Sequence, residues 1–322
     1  MKTNKKLLKY LALIAVSAGL TAGASEIKVS ADSWWSYPSG WYLWSEGGNS
    51  WDKGWQNVNG RQYFLDDYSG VMATGWRNID YSWYYFGNDG ATRTGWQYID
   101  GAWYYFNDVG EMQTGQHNIG GANYYLSPNN GRMMTGWQYY GSDWHLFSPS
   151  GAMQTGWNDV NNTWYYLNEY GDMETGTTNV NGIEYYFNPN GSMVTGWRHD
   201  YQWYYYSPVN GALTKGWFEV NGTWYYSESN MGAMQTGKIS WQTYDYYMQP
   251  DGAMLHDGWA WSADNEAWVY ADGSGHLANG WRQINGAWYY FYNDFMTTGE
   301  RYIDGRENMF DEHSGAWQGY AN

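Results

Sequence analysis

The segment from Gly95 to Gly115, G-W-Q-Y-I-D-G-A-W-Y-Y-F-N-D-V-G-E-M-Q-T-G, is the unit from which most of this chain is built, and it leaves few folds open. Asp100-Gly101 is a strong hairpin signal, because a type I′ turn requires two residues that tolerate positive φ. The aromatic and β-branched residues on either side suit strands. A two-residue loop fixes the register, setting Ile99 opposite Ala102, Tyr98 opposite Trp103, Gln97 opposite Tyr104 and Trp96 opposite Tyr105. Opposed residues share a face, as do alternate residues along a strand. Trp96, Tyr98, Trp103 and Tyr105 therefore lie on one side, with Ile99, Tyr104 and Phe106 on the other. An isolated hairpin is only marginally stable. One with rings on both faces has to cover at least one face against a neighbour, and stacked copies do this.

The anchor glycines are Gly54, Gly75, Gly95, Gly115, Gly136, Gly156, Gly176, Gly196, Gly216, Gly237, Gly258, Gly280 and Gly299, spaced 19 to 22 residues apart. They define thirteen repeats, numbered 1 to 13 from Gly54. Turn pairs recur at one offset, as in Asn59-Gly60, Asn181-Gly182, Asn221-Gly222, Asn285-Gly286 and Asp304-Gly305. The expected fold is all-β, a solenoid of about thirteen stacked hairpins of 20–21 residues, in which each unit packs on its neighbours. Residues 1–31 read as a signal peptide, 32–53 as a degenerate N-terminal cap rich in Trp, 54–298 as hairpin repeats, and 299–322 as a degenerate C-terminal capping repeat. These spans leave no room for a catalytic domain of ordinary size.

The signal reading rests on Lys2, Lys5, Lys6 and Lys9 followed by the apolar run Tyr10 to Ala24, with Val29-Ser30-Ala31 or Ala22-Gly23-Ala24 as the cleavage site. No later segment is apolar enough to span a membrane as a helix. Removing residues 1–31 takes five Lys and one Glu, moving the net charge from −16 to near −20. That charge argues against nucleic acid, which needs clustered Lys and Arg, and it suits cationic ligands. The absence of Cys excludes a disulfide framework. The residues His117, His145, His199, His256, His276 and His313 fall at different repeat positions, without metal-ligand spacing. The reading is of a non-enzyme that carries no cofactor.

Paired Trp residues recur seven apart in Trp76/Trp83, Trp96/Trp103, Trp137/Trp144, Trp157/Trp164, Trp217/Trp224 and Trp281/Trp288. Core filling alone would accept Leu, Ile or Phe, yet the chain has 25 Trp and 35 Tyr against nine Phe. Electron-rich rings on one hairpin face suit a quaternary ammonium, held by cation–π attraction, or a stacked sugar ring.

The pattern G-W-x4-G-x-W-Y-Y-x4-G-x-M-x-T-G resembles the choline-binding (cell-wall-binding) repeat of Gram-positive surface proteins and autolysins, from Gly54 to the end. The resemblance implies a left-handed superhelix of hairpins with about three repeats per turn. It also implies that choline of teichoic acids binds between consecutive repeats. The cage would take two Trp of one repeat, the second Tyr of the next W-Y-Y and a Met or Leu of the linker. Carried over, it joins Trp96 and Trp103 to Met112 and Tyr125, and Trp137 and Trp144 to Met153 and Tyr166. It likewise joins Trp157 and Trp164 to Met173 and Tyr186, and Trp217 and Trp224 to Met234 and Tyr247. Three cages depart from the pattern. Trp76, Trp83 and Tyr105 have Thr92 at the Met position; Trp197 and Trp203, six apart, have Leu213 and Tyr226; Trp259 and Trp268, nine apart, have Leu277 and Tyr290.

Repeats 4, 7, 10 and 13 hold other residues at both Trp positions: Gln116/Asn123, Thr177/Glu184, Lys238/Asp245 and Glu300/Glu307. Repeat 1 keeps Trp55 but has Gln62. With three repeats per turn, these would line up as one polar column, a possible surface for a protein partner. The resemblance implies a secreted protein retained non-covalently at the Gram-positive wall through choline or phosphocholine of teichoic or lipoteichoic acid. The alternative is a glucan- or polysaccharide-binding repeat protein, to which the stretch Gly182 to Gly196 also has some likeness.

Overall fold

The computed structural model describes residues 33–45 and 50–321. The signal-peptide expectation falls outside them. The described residues are all-β, and each of the thirteen anchor glycines is the first residue of a strand. In repeat 3, the strands Gly95–Ile99 and Ala102–Phe106 pair in the expected register, with Trp96 opposite Tyr105 and Tyr98 opposite Trp103. Asp100 and Gly101 close the hairpin with φ of 48° and 82°, the values that a type I′ turn demands.

Irregular spacing is absorbed in the loops. Trp197 and Trp203 are six apart, yet Trp197 still pairs with Tyr205. Trp259 and Trp268 are nine apart, yet Trp259 still pairs with Tyr270 and Trp261 sits opposite Trp268 as Tyr98 does opposite Trp103, because the extra residues lie in the four-residue loop 263–266. At the ends, Ser33–Tyr37, Gly40–Ser45 and Ser50–Trp51 form a three-stranded sheet, as do Gly299–Ile303, Arg306–Phe310 and Trp317–Tyr320.

The chain divides into two compact units. One runs to Gly115 and includes Leu126–Met133; the other comprises Gln116–Tyr125 and everything from Met134 onward. Within each, linkers tie hairpins to the ones before them. The linker after a hairpin makes a one-residue bridge to its own second strand, as between Phe187 and Met193. The same Met193 donates its backbone N–H to the carbonyl of Trp164, in the preceding repeat, at 2.8 Å. The core is correspondingly local. Fully buried Phe86, Phe106, Phe147, Phe187 and Phe291 close the last position of their hairpins.

Linker side chains reach further. The Met173 thioether lies where a Cβ on Gly191, in the next turn, would sit, and Met193 covers Gly211 in the same way. Gly191 also has φ of 80°. Alanine there adds the cost of a left-handed backbone, about 1–2 kcal/mol, to displacement of the Met173 sulfur. Gly191→Ala is expected to lower stability by about 2 kcal/mol in a thermal melt, and an unchanged melt would contradict this packing.

Candidate functional site

Each intact repeat places two Trp rings on one hairpin face. The first Trp is cross-strand from the repeat's second Tyr, as Trp157 is from Tyr166, and the second Trp lies two positions nearer the turn. The paired rings meet edge to face. Centroids are 6.3 Å apart in Trp76/Trp83, 6.4 Å in Trp96/Trp103, 6.3 Å in Trp157/Trp164, 6.2 Å in Trp197/Trp203 and 6.5 Å in Trp217/Trp224. Trp281 and Trp288 repeat the arrangement at 6.5 Å, with Trp281 also against Phe310 and Trp317.

The two Trp of a pair differ in burial. The first packs against the next hairpin and is partly buried, except Trp157, which is 36% exposed. The second, in Trp83, Trp103, Trp144, Trp164, Trp203, Trp224, Trp268 and Trp288, is between 39% and 45% exposed. A ring recruited only to fill a core would be drawn in as far as the backbone allows. Eight Trp held half open at nearly one value form a repeated surface.

The ring that the next hairpin brings against the first Trp is the first Tyr of its W-Y-Y. Trp76 meets Tyr104 at 4.8 Å, Trp137 meets Tyr165 at 4.9 Å and Trp157 meets Tyr185 at 4.7 Å. Trp197 meets Tyr225 at 4.9 Å, Trp217 meets Tyr246 at 4.8 Å and Trp259 meets Tyr289 at 5.0 Å. The family pattern had named the following residue each time, Tyr105, Tyr166, Tyr186, Tyr226, Tyr247 and Tyr290. The reason for the difference is the period of two along a strand. Hairpins stack face to back, so the ring meeting a Trp comes from the opposite face of the next hairpin. The second Tyr points to the gap after that one. Tyr247 shows the consequence: it is buried in a core with Leu255, Val269, Ala271 and Leu277, its hydroxyl donating to the Trp261 carbonyl at 3.2 Å. Tyr125 lies in the second unit, where Tyr140 stacks on it at 4.1 Å.

The linker Met shifts by one repeat as well. Backbone N–H groups of Met112, Met133, Met173, Met193, Met234 and Met254 donate to the carbonyls of Trp83, Trp103, Trp144, Trp164, Trp203 and Trp224, at 2.7 to 2.9 Å. Thus Trp76/Trp83 is matched with Met112 rather than Thr92, and Trp197/Trp203 with Met234 rather than Leu213. The residues that had looked like departures face the degenerate repeats instead. Thr92 bonds the Gln62 carbonyl, Leu213 that of Glu184 and Leu277 that of Asp245. Met153, on Asn123, is the one Met of this series on a degenerate repeat.

Around Trp259 and Trp268 these parts line an open pocket of about 360 Å³, walled also by Tyr289, Met296, His313 and Ser314. Two Trp, the next first Tyr and the next linker Met therefore line one space. Leu277 and Tyr290 are not among its walls.

The degenerate gaps are closed from within. On the polar face of repeat 7, the Arg198 guanidinium of repeat 8 lies 3.5 Å from the Tyr186 ring centroid and pairs with Asp200 at 3.0 Å, while Lys215 reaches Glu184 at 3.6 Å. In repeat 10 Lys238 pairs with Asp245 at 3.1 Å and with the buried Asp294, which also accepts from Asn279 at 2.8 Å. After repeat 4, Tyr140 stacks on both Tyr125 and His145, and His145 Nε2 lies 2.9 Å from Asp172. Burial, with Tyr125 and Asp172 nearby, pushes the Tyr140 hydroxyl up to about 12.

Two family models match the chain. The choline-binding repeat matches residues 93–136, 174–218 and 278–317, and the putative cell wall binding repeat matches 53–72, 74–91, 135–153, 155–173 and 215–230. No curated protein matches the sequence. Among solved structures, choline binding protein F of Streptococcus pneumoniae, crystallised in the presence of a tetrasaccharide-pentapeptide peptidoglycan analogue, is 26% identical. That match covers 78% of this chain and 99% of the other, with a TM-score of 0.55. CbpJ of Streptococcus pneumoniae TIGR4 is 28% identical over 82% of this chain and 100% of its own, with a TM-score of 0.45. With its Gly-anchored hairpins, Trp pairs and linker Met residues in place, this chain belongs to the choline-binding (cell-wall-binding) repeat family.

Proposed function

We propose that the protein is a non-catalytic cell-wall binder whose intact gaps hold the quaternary ammonium of choline, or of phosphocholine, on teichoic and lipoteichoic acids. Family membership and the likeness to choline binding protein F support a cell-wall choline-binding role. The observation that carries the finer reading is the company the Trp pairs keep. Six Trp pairs each receive a linker Met, whereas the polar pairs of repeats 7 and 10 and the half-pair of repeat 1 receive Leu or Thr, with Met153 on Asn123 of repeat 4 as the exception. Fold stability alone gives no reason for a Met to follow the Trp pair. A cation cage does: two ring faces supply the π surface and a polarizable thioether fills irregular space beside it.

One cation on exposed rings gains only about 1–2 kcal/mol. A polymer bearing many cholines engages several gaps at once, and linked sites raise apparent affinity by about 10²–10⁴. The net charge of −16 favours the ammonium over the polymer's phosphates. Such avidity would retain a secreted protein at the wall without a covalent anchor, for attachment, adhesion or modulation of autolysins by competition for choline. In the degenerate gaps Glu184, Lys238 and Asp245 spend their charges on internal partners.

The test is a choline titration of the protein, with Trp fluorescence and melting temperature as readouts. Saturation at millimolar choline, a raised melting temperature, and release from a tertiary-amine resin by free choline are the expected results. Retention on dextran with no response to choline would contradict the proposal and turn the rings into saccharide platforms.

A further inference from the structure

The family matches begin at residue 53, and the segment before them reads in sequence as a cap. The structure gives it a different character. Strands Ser33–Tyr37 and Gly40–Ser45 pair with Trp34 opposite Leu43 and Ser36 opposite Trp41. This is the register of repeat 2, where Trp76 is opposite Tyr85 and Asn78 opposite Trp83. Trp34 and Trp41, seven apart in the chain, thus hold the first and second Trp positions of a hairpin that no family match includes.

Three marks of an intact gap recur there. Trp34 lies 5.0 Å from Tyr63, the first of the two rings in the second strand of repeat 1. Trp41 is 44% exposed, as are Trp103, Trp144, Trp164, Trp224 and Trp288. The linker Met72 donates its backbone N–H to the Trp41 carbonyl at 2.8 Å. The Met72 side chain runs on to cover Gly90, as the later linker Met residues cover their turn glycines. Trp34 also packs on the buried cluster of Leu43, Val58, Tyr63, Leu65 and Met72.

We propose that Trp34, Trp41, Tyr63 and Met72 form an additional quaternary-ammonium site, ahead of the first repeat. The assignment rests on the ammonium reading of the other Trp pairs. The ligand class follows from the chemistry of the walls: two indoles, a phenol ring and a thioether with no ion pair among them, suited to a bulky, weakly hydrated cation. Because Trp34 covers the end of the first unit's core, a ligand bridging Trp34 and Trp41 to Tyr63 also fastens the N-terminal hairpin onto repeat 1. Binding to N and not to the opened hairpin raises its opening free energy by mass action.

Indole N–H signals in a nitrogen-15 NMR titration with choline test this, with Trp41 identified from Trp41→Gln. Gln is the residue that repeat 1 carries at the same position, Gln62, so the register tolerates it. The Trp41 signal is expected to move with a midpoint within about threefold of those of Trp83 and Trp103. Choline is also expected to slow protease cleavage between residues 33 and 53 in the native chain, and Trp41→Gln to abolish that protection while leaving the Trp83 midpoint unchanged. A stationary Trp41 signal while Trp83 and Trp103 saturate would overturn this site alone. No movement of any indole would instead overturn the ammonium reading on which it rests.

Discussion

Trp217→Ala is expected to lower stability by about 3 kcal/mol and to remove one ammonium site, whereas Trp224→Gln removes the same site at a cost below about 1 kcal/mol. The two rings belong to one pair, but the fold uses them differently. Trp217 touches Trp224 and Tyr226 in its own hairpin and Trp241 and Tyr246 in the next. Removing it opens a void between two hairpins. A fully buried Trp would cost about 3–5 kcal/mol. Trp217 is half-buried, which sets the lower end of that range. Trp224 is 44% exposed, and Gln stands at its position in repeat 1. Urea unfolding with a choline titration of each variant separates the roles. Equal destabilisation by both variants would contradict the division, as would a Trp224→Gln protein with undiminished choline response.

Lys238→Met is expected to cost a similar amount, about 3 kcal/mol. It strands Asp294, whose side chain is 4% exposed, while the methylene stem is kept. Breaking a buried pair from one side costs about 3–5 kcal/mol, and the partial exposure of Lys238 again favours the lower end. The effect carries a pH signature. Burial works against the Lys238 ammonium, but its hydrogen bonds to Asp294 and Asp245 outweigh this and raise its pKa above the usual Lys value. A raised pKa means the folded state holds the proton more tightly. The stabilisation is therefore complete below about pH 10.5 and disappears as pH rises through the folded value. Tyr140 and Tyr206, both pushed up to about 12 chiefly by burial, lose stabilisation above about pH 10 in wild type and variant alike. The melting-temperature gap between wild type and Lys238→Met should thus be constant at neutral pH and narrow above about pH 10.5. A gap that widens in alkali would contradict the assigned pairing.

Much of this was legible because a two-residue turn leaves one register. Asp100-Gly101 alone fixes Trp96 opposite Tyr105, and the anchor glycines mark every later hairpin start. What one hairpin does not encode is which face of the next it meets. A period of two puts Tyr104 and Tyr105 on opposite faces, and choosing between them requires the stacking direction, which also assigns Met112 to Trp83 rather than to Trp103. Both differences between the expected groupings and the observed contacts have this one cause. The N-terminal Trp34/Trp41 pair stayed hidden for another reason. Its strand opens on Ser33 and its turn is Pro38-Ser39, so neither the anchor glycine nor the Asn-Gly signal is present. The internal closures, such as Arg198 on Tyr186, depend on side chains brought together across hairpins and leave no periodic trace.

The central claim is that a gap binds the ammonium when it has both Trp rings and the following linker Met. Trp55 provides the control inside the same molecule. It packs on Tyr84 at 4.8 Å as Trp76 packs on Tyr104, but faces Gln62 and Thr92 instead of a second Trp and a Met. The most direct measurement is the choline dependence of assigned indole N–H signals. The account predicts that Trp76, Trp157, Trp197 and Trp217 shift and saturate in the range of about 1–10 mM, near −4 to −3 kcal/mol per site, while Trp55 stays in place. Equal movement of Trp55, or no movement of the paired Trp signals, would contradict it.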